Sequence, residues 1–140
     1  MIQYMVLGLP RSGTAWMAAL LSRNGAVCLH ESLADYSLAD IDAMPEVAGI
    51  SETAGVLIAD QIEAHPARKV VIMRDLTEIN HSMMLQGLPD IPAVAQEMLD
   101  QIDAPRVAFH QMFDFDIMAT VYQYLTLERL DKRYFEQIDR

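Results

Sequence analysis

The sequence predicts a three-layer α/β fold in which a small parallel sheet is flanked by helices. Short apolar segments alternate with helix-forming segments, a pattern typical of βαβ units. A glycine-containing loop joins the first strand to the first helix. The 140 residues correspond to one domain's worth of chain, so we expect residues 1–140 to form a single domain.

The first half of the chain gives the elements in order. Residues 2–7 are apolar and β-prone, which predicts a buried strand. Residues 14–21 are strong helix formers with almost no polar face and predict a helix packed against the sheet. Residues 26–29 and 47–50 predict two further short strands, and the acidic stretch 31–43 between them is expected to be partly helical.

The middle of the chain contains the clearest strand. Ser51, Glu52 and Thr53 are typical of a helix start, so a helix is predicted over residues 51–63. Residues 69–73 are β-branched and apolar after Lys69 and predict a central strand.

The last third of the chain predicts four helices and one strand. Asp75 and Glu78 have the spacing of a capping box, which predicts a helix to about residue 86. A helix is predicted over 92–100 because proline favours the first turn. The rest of the chain predicts a strand over 106–109 and helices over 116–124 and 127–138.

Five chemically active side chains follow predicted strands. Because the carboxyl ends of parallel strands meet at one edge of a sheet, we expect these side chains to share that edge despite their separation in sequence. The five residues are Arg11, His30, Glu31, Arg74 and His110.

Composition limits the classes of function. Apolar residues make up 52% of the chain and charged residues 21%, which is typical of a globular protein. Twenty acidic and ten basic residues give a net charge of −10, which argues against nucleic-acid binding because that needs a basic face. A single local anion site built from a few arginines and backbone amides remains compatible with this charge.

Location and metal content are predicted from the same composition. The single cysteine, Cys28, cannot form an internal disulfide, so a cytoplasmic protein is expected. No run of 18 apolar residues is present, so no membrane helix is expected, and the N-terminal segment does not read as an export signal. The spacing of His30, His81 and His110 fits no ligand pattern, so no metal is expected.

The loop over residues 8–14 is suited to an anion. Glycines let the backbone wrap closely around a phosphate, and the N-terminus of the following helix offers N–H groups and partial positive charge. The hydroxyls of Ser12 and Thr14 are further candidate donors, and Arg11 is the cation in the loop. The glycine spacing matches the ATP/GTP P-loop, but Thr14 and Ala15 occupy the lysine and metal-binding positions. An ordinary ATPase or kinase is therefore disfavoured.

The sequence Pro-Arg-Ser-Gly-Thr-Ala-Trp over residues 10–16 resembles the 5′-phosphosulfate loop of the sulfotransferases, P-[KR]-S-G-T-T-W. These enzymes use 3′-phosphoadenosine 5′-phosphosulfate (PAPS) as donor. A second family motif is an arginine after a strand with a serine eight residues later, which Arg74 and Ser82 match. The chain is similar to the short sulfotransferase-like proteins of phage and bacterial sequences, and the resemblance implies a P-loop type of α/β fold.

The resemblance assigns roles position by position. Arg11 would face the bridging oxygen and 5′-phosphate and stabilise charge as the sulfuryl group leaves. Arg74 and Ser82 would hold the 3′-phosphate. The remaining donor-binding positions are those of the loop and helix start: Pro10, Ser12, Gly13, Thr14, Ala15 and Trp16.

The general base is taken from the protein-tyrosine sulfotransferase branch of the family. That branch places a glutamate about twenty residues after the loop arginine, following a cysteine, and Glu31 stands 20 residues after Arg11 and follows Cys28. Glu31 is therefore the first choice as general base and His30 the second, since either residue type can take a hydroxyl proton.

Two departures from the family pattern bear on the site. Ala15 replaces the second threonine of the loop and removes a hydroxyl from the phosphate site. The R-K-G-x-x-G-x-W-K type motif of the cytosolic sulfotransferases does not occur in residues 1–140. The acceptor pocket of such a minimal protein is then open, completed by a partner chain, or lost.

Three functions follow as hypotheses. The first is transfer of a sulfuryl group from PAPS to a hydroxyl or amine of a small-molecule or peptide acceptor that the sequence does not identify. The second is a nucleotide-binding phosphotransferase or kinase-like protein with an altered P-loop, in which Asp75 would bind magnesium. The third is a non-catalytic nucleotide-binding module. The apolar content of the chain is also compatible with a homodimer.

Overall fold

A computed structural model describes residues 1–138 of the chain. Its centre is a five-stranded, all-parallel sheet with the strand order β2-β3-β1-β4-β5. The strands are β1 Tyr4–Leu7, β2 Val27–His30, β3 Val47–Glu52, β4 Arg68–Met73 and β5 Arg106–Ala108. The prediction of an α/β fold with a parallel sheet flanked by helices is confirmed.

Seven α-helices and three 3-10 turns connect the strands within residues 1–138. The helices are α1 Thr14–Leu21, α2 Leu38–Asp42, α3 Ala59–Ala64, α4 Leu76–Leu85, α5 Ala93–Asp100, α6 Phe115–Thr126 and α7 Lys132–Gln137. The 3-10 turns are Ser32–Ala34, Ala54–Ile58 and Phe109–Phe113. None of these helices is long and apolar enough to cross a membrane.

The core lies on both faces of the sheet because successive side chains of a strand point in opposite directions. In β1, Met5 and Leu7 join one buried cluster with residues of α2, α3, α4 and α5. Tyr4 and Val6 join a second cluster with residues of α1, α6 and α7. β1 is therefore apolar along its whole length, as expected for a strand of a parallel sheet covered on both faces.

Two element predictions are wrong. The helix predicted over 51–63 does not begin at Ser51, because Ser51 and Glu52 continue β3; a 3-10 turn follows, and α3 starts only at Ala59. The last predicted helix, 127–138, begins at Lys132, because Leu127 ends α6 with a φ of 63°. At Ser51 and Glu52, the pairing of β3 with β1 and β2 overrides the local preference for a helix start.

The carboxyl ends of the central strands are aligned with one another. Leu7, the last residue of β1, lies opposite Glu52 of β3 and Val71 of β4 in the sheet. The loops that leave these strands therefore emerge at one edge, as the sequence predicts for a parallel sheet. Asp75 caps α4 at this edge, and its carboxylate accepts the N–H of Glu78, as the capping-box spacing predicts.

Candidate functional site

A pocket of about 720 Å³ opens at the carboxyl edge of the sheet. Its size is in the range of small-molecule and cofactor sites. Nine of the eleven residues that the sequence singles out as catalytic or donor-binding contribute to its wall. These residues are Pro10, Arg11, Gly13, Thr14, Ala15, Trp16, His30, Glu31 and Arg74.

The backbone of the loop between β1 and α1 requires its two glycines. Gly13 has a φ of 99°, and a Cβ at this position would lie 2.7 Å from the methyl carbon of Met112. A Cβ at Gly8 would lie 2.5 Å from the hydroxyl oxygen of Ser12. Close approach of backbone to neighbouring groups is a standard reason for glycine in anion-binding loops.

The hydroxyls of Ser12 and Thr14 differ in their access to the pocket. Ser12 is fully buried, and its hydroxyl donates to the carbonyl of Leu9 at 2.5 Å. Ser12 is therefore outside the pocket wall, and the expectation that its hydroxyl offers a donor to a ligand is wrong. The hydroxyl of Thr14 lies in the pocket wall, 3.2 Å from Nε2 of His30.

The two predicted cations, Arg11 and Arg74, are linked through the backbone of Arg11. Arg11 donates from Nε to the hydroxyl of Ser82 at 2.9 Å, across 71 residues of sequence. Arg74 donates from Nη1 to the backbone carbonyl of Arg11. Ser82 does not line the pocket, but this hydrogen bond places it directly behind Arg11. The sequence predicts that Arg11 and Arg74 share one sheet edge, and the resemblance pairs Ser82 with Arg74; the structure brings the three residues together.

Two further contacts fix the guanidinium of Arg74. Its Cζ lies 4.0 Å from the ring centroid of Phe109, within the range of a cation–π interaction. Its Nε lies 3.5 Å from a carboxylate oxygen of Glu78, one helical turn further along the chain. Nε is buried and makes no hydrogen bond within residues 1–138, so this longer ion-pair contact is its polar interaction. The group is held in place before any ligand arrives.

The opposite wall of the pocket carries the predicted base residues. Both carboxylate oxygens of Glu31 accept hydrogen bonds from Thr53, from its N–H at 3.0 Å and from its hydroxyl at 2.8 Å. Nε2 of His30 lies 3.4 Å from the same carboxylate. The two side chains are about 36% and 40% exposed, so they are open to a ligand. The result is a chain of polar contacts from Thr14 through His30 and Glu31 to Thr53.

Trp16 lines the pocket and also packs into the core. Its ring meets that of Phe135 edge to face at 5.9 Å between centroids. The side chain therefore has a structural contact, and the face that borders the pocket is the part available to a nucleotide.

One predicted member of the shared edge does not reach the pocket. His110 follows β5, as predicted, but it lies exposed in the 3-10 turn Phe109–Phe113 and does not line the pocket. The turn instead contributes three apolar side chains to the wall, those of Phe109, Met112 and Phe113.

Sequence reasoning missed these residues, and also Thr53. No local signal marks the apolar ones, since such side chains are normally read as core. The sequence predicts a helix start at Thr53, but in the structure this residue follows the end of β3. Residues that follow parallel strands are the ones expected at the pocket edge.

Taken together, the wall can bind an anion through arginine and helix N-terminal groups and can accept a proton at an imidazole–carboxylate pair. Within residues 1–138, no group of three or more His, Cys, Asp or Glu side chains is arranged to hold a metal ion. A scan against protein-family models and a search of curated proteins found no match for this chain.

Proposed function

We propose that this chain is a sulfotransferase of the P-loop type that transfers a sulfuryl group from PAPS to a hydroxyl or amine. One observation carries the proposal: Arg11, in the loop that precedes α1, is hydrogen-bonded to both residues of the second motif, more than 60 residues away. Its Nε donates to the hydroxyl of Ser82, and its backbone carbonyl accepts from Arg74. Each motif alone is a common local pattern. Their proximity at one edge of a parallel sheet supports the binding of one donor that carries two separate phosphates.

The donor would bind with its 5′-phosphosulfate at the loop and its 3′-phosphate at Arg74 and Ser82. The N-terminus of α1 offers N–H groups and partial positive charge to the first. The guanidinium of Arg74 can present paired donors to the second. The hydrogen bond between Arg11 and Ser82 would be exchanged for bonds to the ligand, which frees Arg11 to neutralise charge on the leaving phosphate.

The geometry favours His30 as the general base, with Glu31 as its partner. Both oxygens of Glu31 already accept hydrogen bonds from Thr53, so this carboxylate is engaged within the protein. The same carboxylate lies 3.4 Å from the ring of His30 and would stabilise the imidazolium that forms. This assignment reverses the order of preference that the sequence resemblance implies.

The transfer needs only the donor, the acceptor and these side chains. The acceptor oxygen or nitrogen attacks sulfur in line, and the bond between sulfur and the bridging phosphate oxygen breaks. The proton of the acceptor passes to His30, and the electron pair leaves on adenosine 3′,5′-bisphosphate, whose charge Arg11 and Arg74 offset. Positioning and charge neutralisation supply most of the rate enhancement in such a transfer.

No observation favours the kinase-like alternative. That reading assigns Asp75 to a magnesium ion, but the carboxylate of Asp75 caps α4 by accepting the N–H of Glu78 at 3.2 Å. A binding module without catalysis differs from the proposal only in activity, so it is an outcome of the test below.

A thermal-shift comparison tests the donor. Adenosine 3′,5′-bisphosphate, ATP with magnesium, and sulfate are compared at equal concentration; the bisphosphate is expected to raise Tm most. A ligand present at a hundred times its Kd stabilises the folded state by about 2.7 kcal/mol. Ser82→Ala should reduce this gain, whereas Ser37→Ala, a remote serine that caps α2, should leave it unchanged. A larger shift with magnesium and ATP would contradict the proposal.

A transfer assay tests the reaction itself. Radiolabelled sulfur from PAPS is followed into a panel of phenols, aliphatic alcohols, amines and tyrosine peptides. Formation of a labelled product, lost in His30→Gln, is expected. Tight bisphosphate binding with no product from any acceptor class would identify the non-catalytic module instead.

A further inference from the structure

A buried acid lies beside the pocket without being part of its wall. Glu52, the last residue of β3, is 0% exposed. Burial in the protein raises the pKa of Glu52, and the hydrogen bonds it accepts act in the opposite sense. Fully buried glutamates are rare because removing a carboxyl group from water is costly, so specific contacts are expected around this one.

The contacts of Glu52 are concentrated on one short turn. Its Oε1 accepts hydrogen bonds from the N–H of Ser32 at 2.7 Å, the hydroxyl of Ser32 at 2.5 Å and the N–H of Leu33 at 3.2 Å. Its Oε2 is buried and has no hydrogen-bond partner within residues 1–138. We refer to Oε1 of Glu52 and these three donors as the Glu52 clamp.

The clamp is the middle part of a larger arrangement. The carbonyl of Ser51 accepts the N–H of Glu31 at 3.3 Å, and Thr53 binds the carboxylate of Glu31. Three successive residues, 51–53, thus hold the three successive residues 31–33. The sequence alone predicts the start of a helix at residues 51–53.

The backbone of residues 31–33 begins in a conformation that needs surrounding contacts to persist. Glu31 has a φ of 59°, in the left-handed region that side chains other than glycine rarely adopt. Such a conformation costs on the order of 1–3 kcal/mol and persists only where surrounding contacts enforce it. The clamp acts on the two residues that directly follow Glu31.

We propose that Glu52 is a positioning residue that fixes Glu31 and, through it, the ring of His30 in the pocket. Glu52 itself touches neither donor nor acceptor. The proposal rests on the proposed function only in taking His30 and Glu31 as the reacting pair; the conformational claim stands on the contacts of the clamp.

The variant Glu52→Gln tests the clamp with little change of shape. In one orientation the amide keeps its oxygen toward Ser32 and buries an NH₂ group at the position of Oε2. In the other orientation the NH₂ group faces the three N–H and O–H donors, so that donors oppose one another. Both outcomes weaken the clamp. The matched control is Asp42→Asn, which makes the same carboxylate-to-amide change in the partly buried pair of Asp42 with His65, 2.9 Å apart. Asp42 also accepts the N–H of Ile2, just before β1, and so lies away from the carboxyl edge.

The readout is the set of ring nitrogen and carbon NMR signals of the histidines. These signals report the tautomer and hydrogen-bond contacts of each ring, and a His30→Gln spectrum assigns the His30 signals. Glu52→Gln is expected to move the His30 signals and to leave those of the exposed His81 and His110 unchanged. Asp42→Asn should move those of His65 and not those of His30.

Kinetics give a second readout. With the clamp weakened, kcat for sulfuryl transfer should fall by about ten- to hundredfold, since small displacements of reacting groups have effects of this size. The KM for PAPS should stay within about twofold, because Arg11, Arg74 and Ser82 are not contacts of the clamp.

Unchanged His30 signals in Glu52→Gln, together with a lower Tm, would show that the clamp is only structural and would overturn the proposal. If this variant does not fold, Ser32→Ala removes only the hydroxyl donor of the clamp and should move the His30 signals in a smaller degree; unchanged signals would again overturn it. Wild-type protein that fails to bind the bisphosphate, while its His30 signals respond to Glu52→Gln, would refute the donor and leave the positioning role standing.

Discussion

Replacing Arg74 with alanine is expected to weaken binding of adenosine 3′,5′-bisphosphate far more than binding of adenosine 5′-monophosphate. The two ligands differ only in the 3′-phosphate. If Arg74 holds that phosphate, the variant loses an interaction that the monophosphate never makes. The comparison therefore separates a phosphate contact from a general disturbance of the pocket.

The structure sets the expected size of the effect. A charged hydrogen bond contributes about 1.5–3 kcal/mol, so binding of the bisphosphate should weaken roughly 10- to 150-fold. The free protein also loses the bond to the carbonyl of Arg11 and the contact with Phe109, the latter worth about 0.5–1 kcal/mol at an exposed site. The pair with Glu78 contributes little, because that carboxylate is 63% exposed.

Isothermal titration calorimetry of both ligands against both proteins completes a double-difference cycle. Arg133→Ala is the matched control, since it removes the same charge from an exposed position on α7. Its effect on the two ligands should be small and similar. Equal weakening of both ligands by Arg74→Ala, or weakening of neither, would refute the assignment of the 3′-phosphate to Arg74.

Three further predictions follow. Arg11→Ala should lower kcat by about 10²–10³-fold with a smaller change in bisphosphate affinity, measured by transfer kinetics and calorimetry. Gly13→Ala, strained by its φ of 99° and by Met112, should lower Tm and abolish bisphosphate binding in a thermal-shift assay. Burial raises the pKa of Glu52 above its ordinary 4.5, so its stabilising contribution is present below that value and is lost as pH rises. Urea unfolding over a pH series should show the wild-type free energy of unfolding falling relative to Glu52→Gln above about pH 4.5; parallel curves would contradict this.

The part of the site that the sequence predicts is the part encoded by strand ends. Arg11, His30, Glu31 and Arg74 each lie at or just after a strand, and a parallel sheet brings such positions to one edge whatever their separation. The sequence predicts the strands because each contains a short, mainly apolar segment, as expected where a parallel sheet is covered on both faces. The local sequence pattern and the topology of the sheet are therefore sufficient to predict the positions of these residues.

The end of β3 could not be predicted in this way. Ser51, Glu52 and Thr53 have the polar composition of a helix start, and nothing nearby in sequence shows that Glu52 is buried. Its partners, Ser32 and Leu33, lie 20 and 19 residues away and become neighbours only because β2 and β3 pair in the sheet. Polar groups satisfied by distant partners leave no local signal in the sequence.

The two walls of the pocket are built on the same plan. Arg11 and Glu31, with φ values of 63° and 59°, are two of the four residues other than glycine with positive φ within residues 1–138. Each is followed or contacted by a group that holds its backbone: Arg74 binds the carbonyl of Arg11, and Glu52 binds the turn after Glu31. Of the other two, Asn24 lies with Gly25 at the centre of a turn closed by the N–H of Ala26 and the carbonyl of Arg23, and Leu127 caps the end of α6; the left-handed conformation is common in both settings. Strain that turns and helix ends do not explain therefore falls on the two charged residues of the pocket wall, which is where stored strain is expected if both side chains act on one ligand.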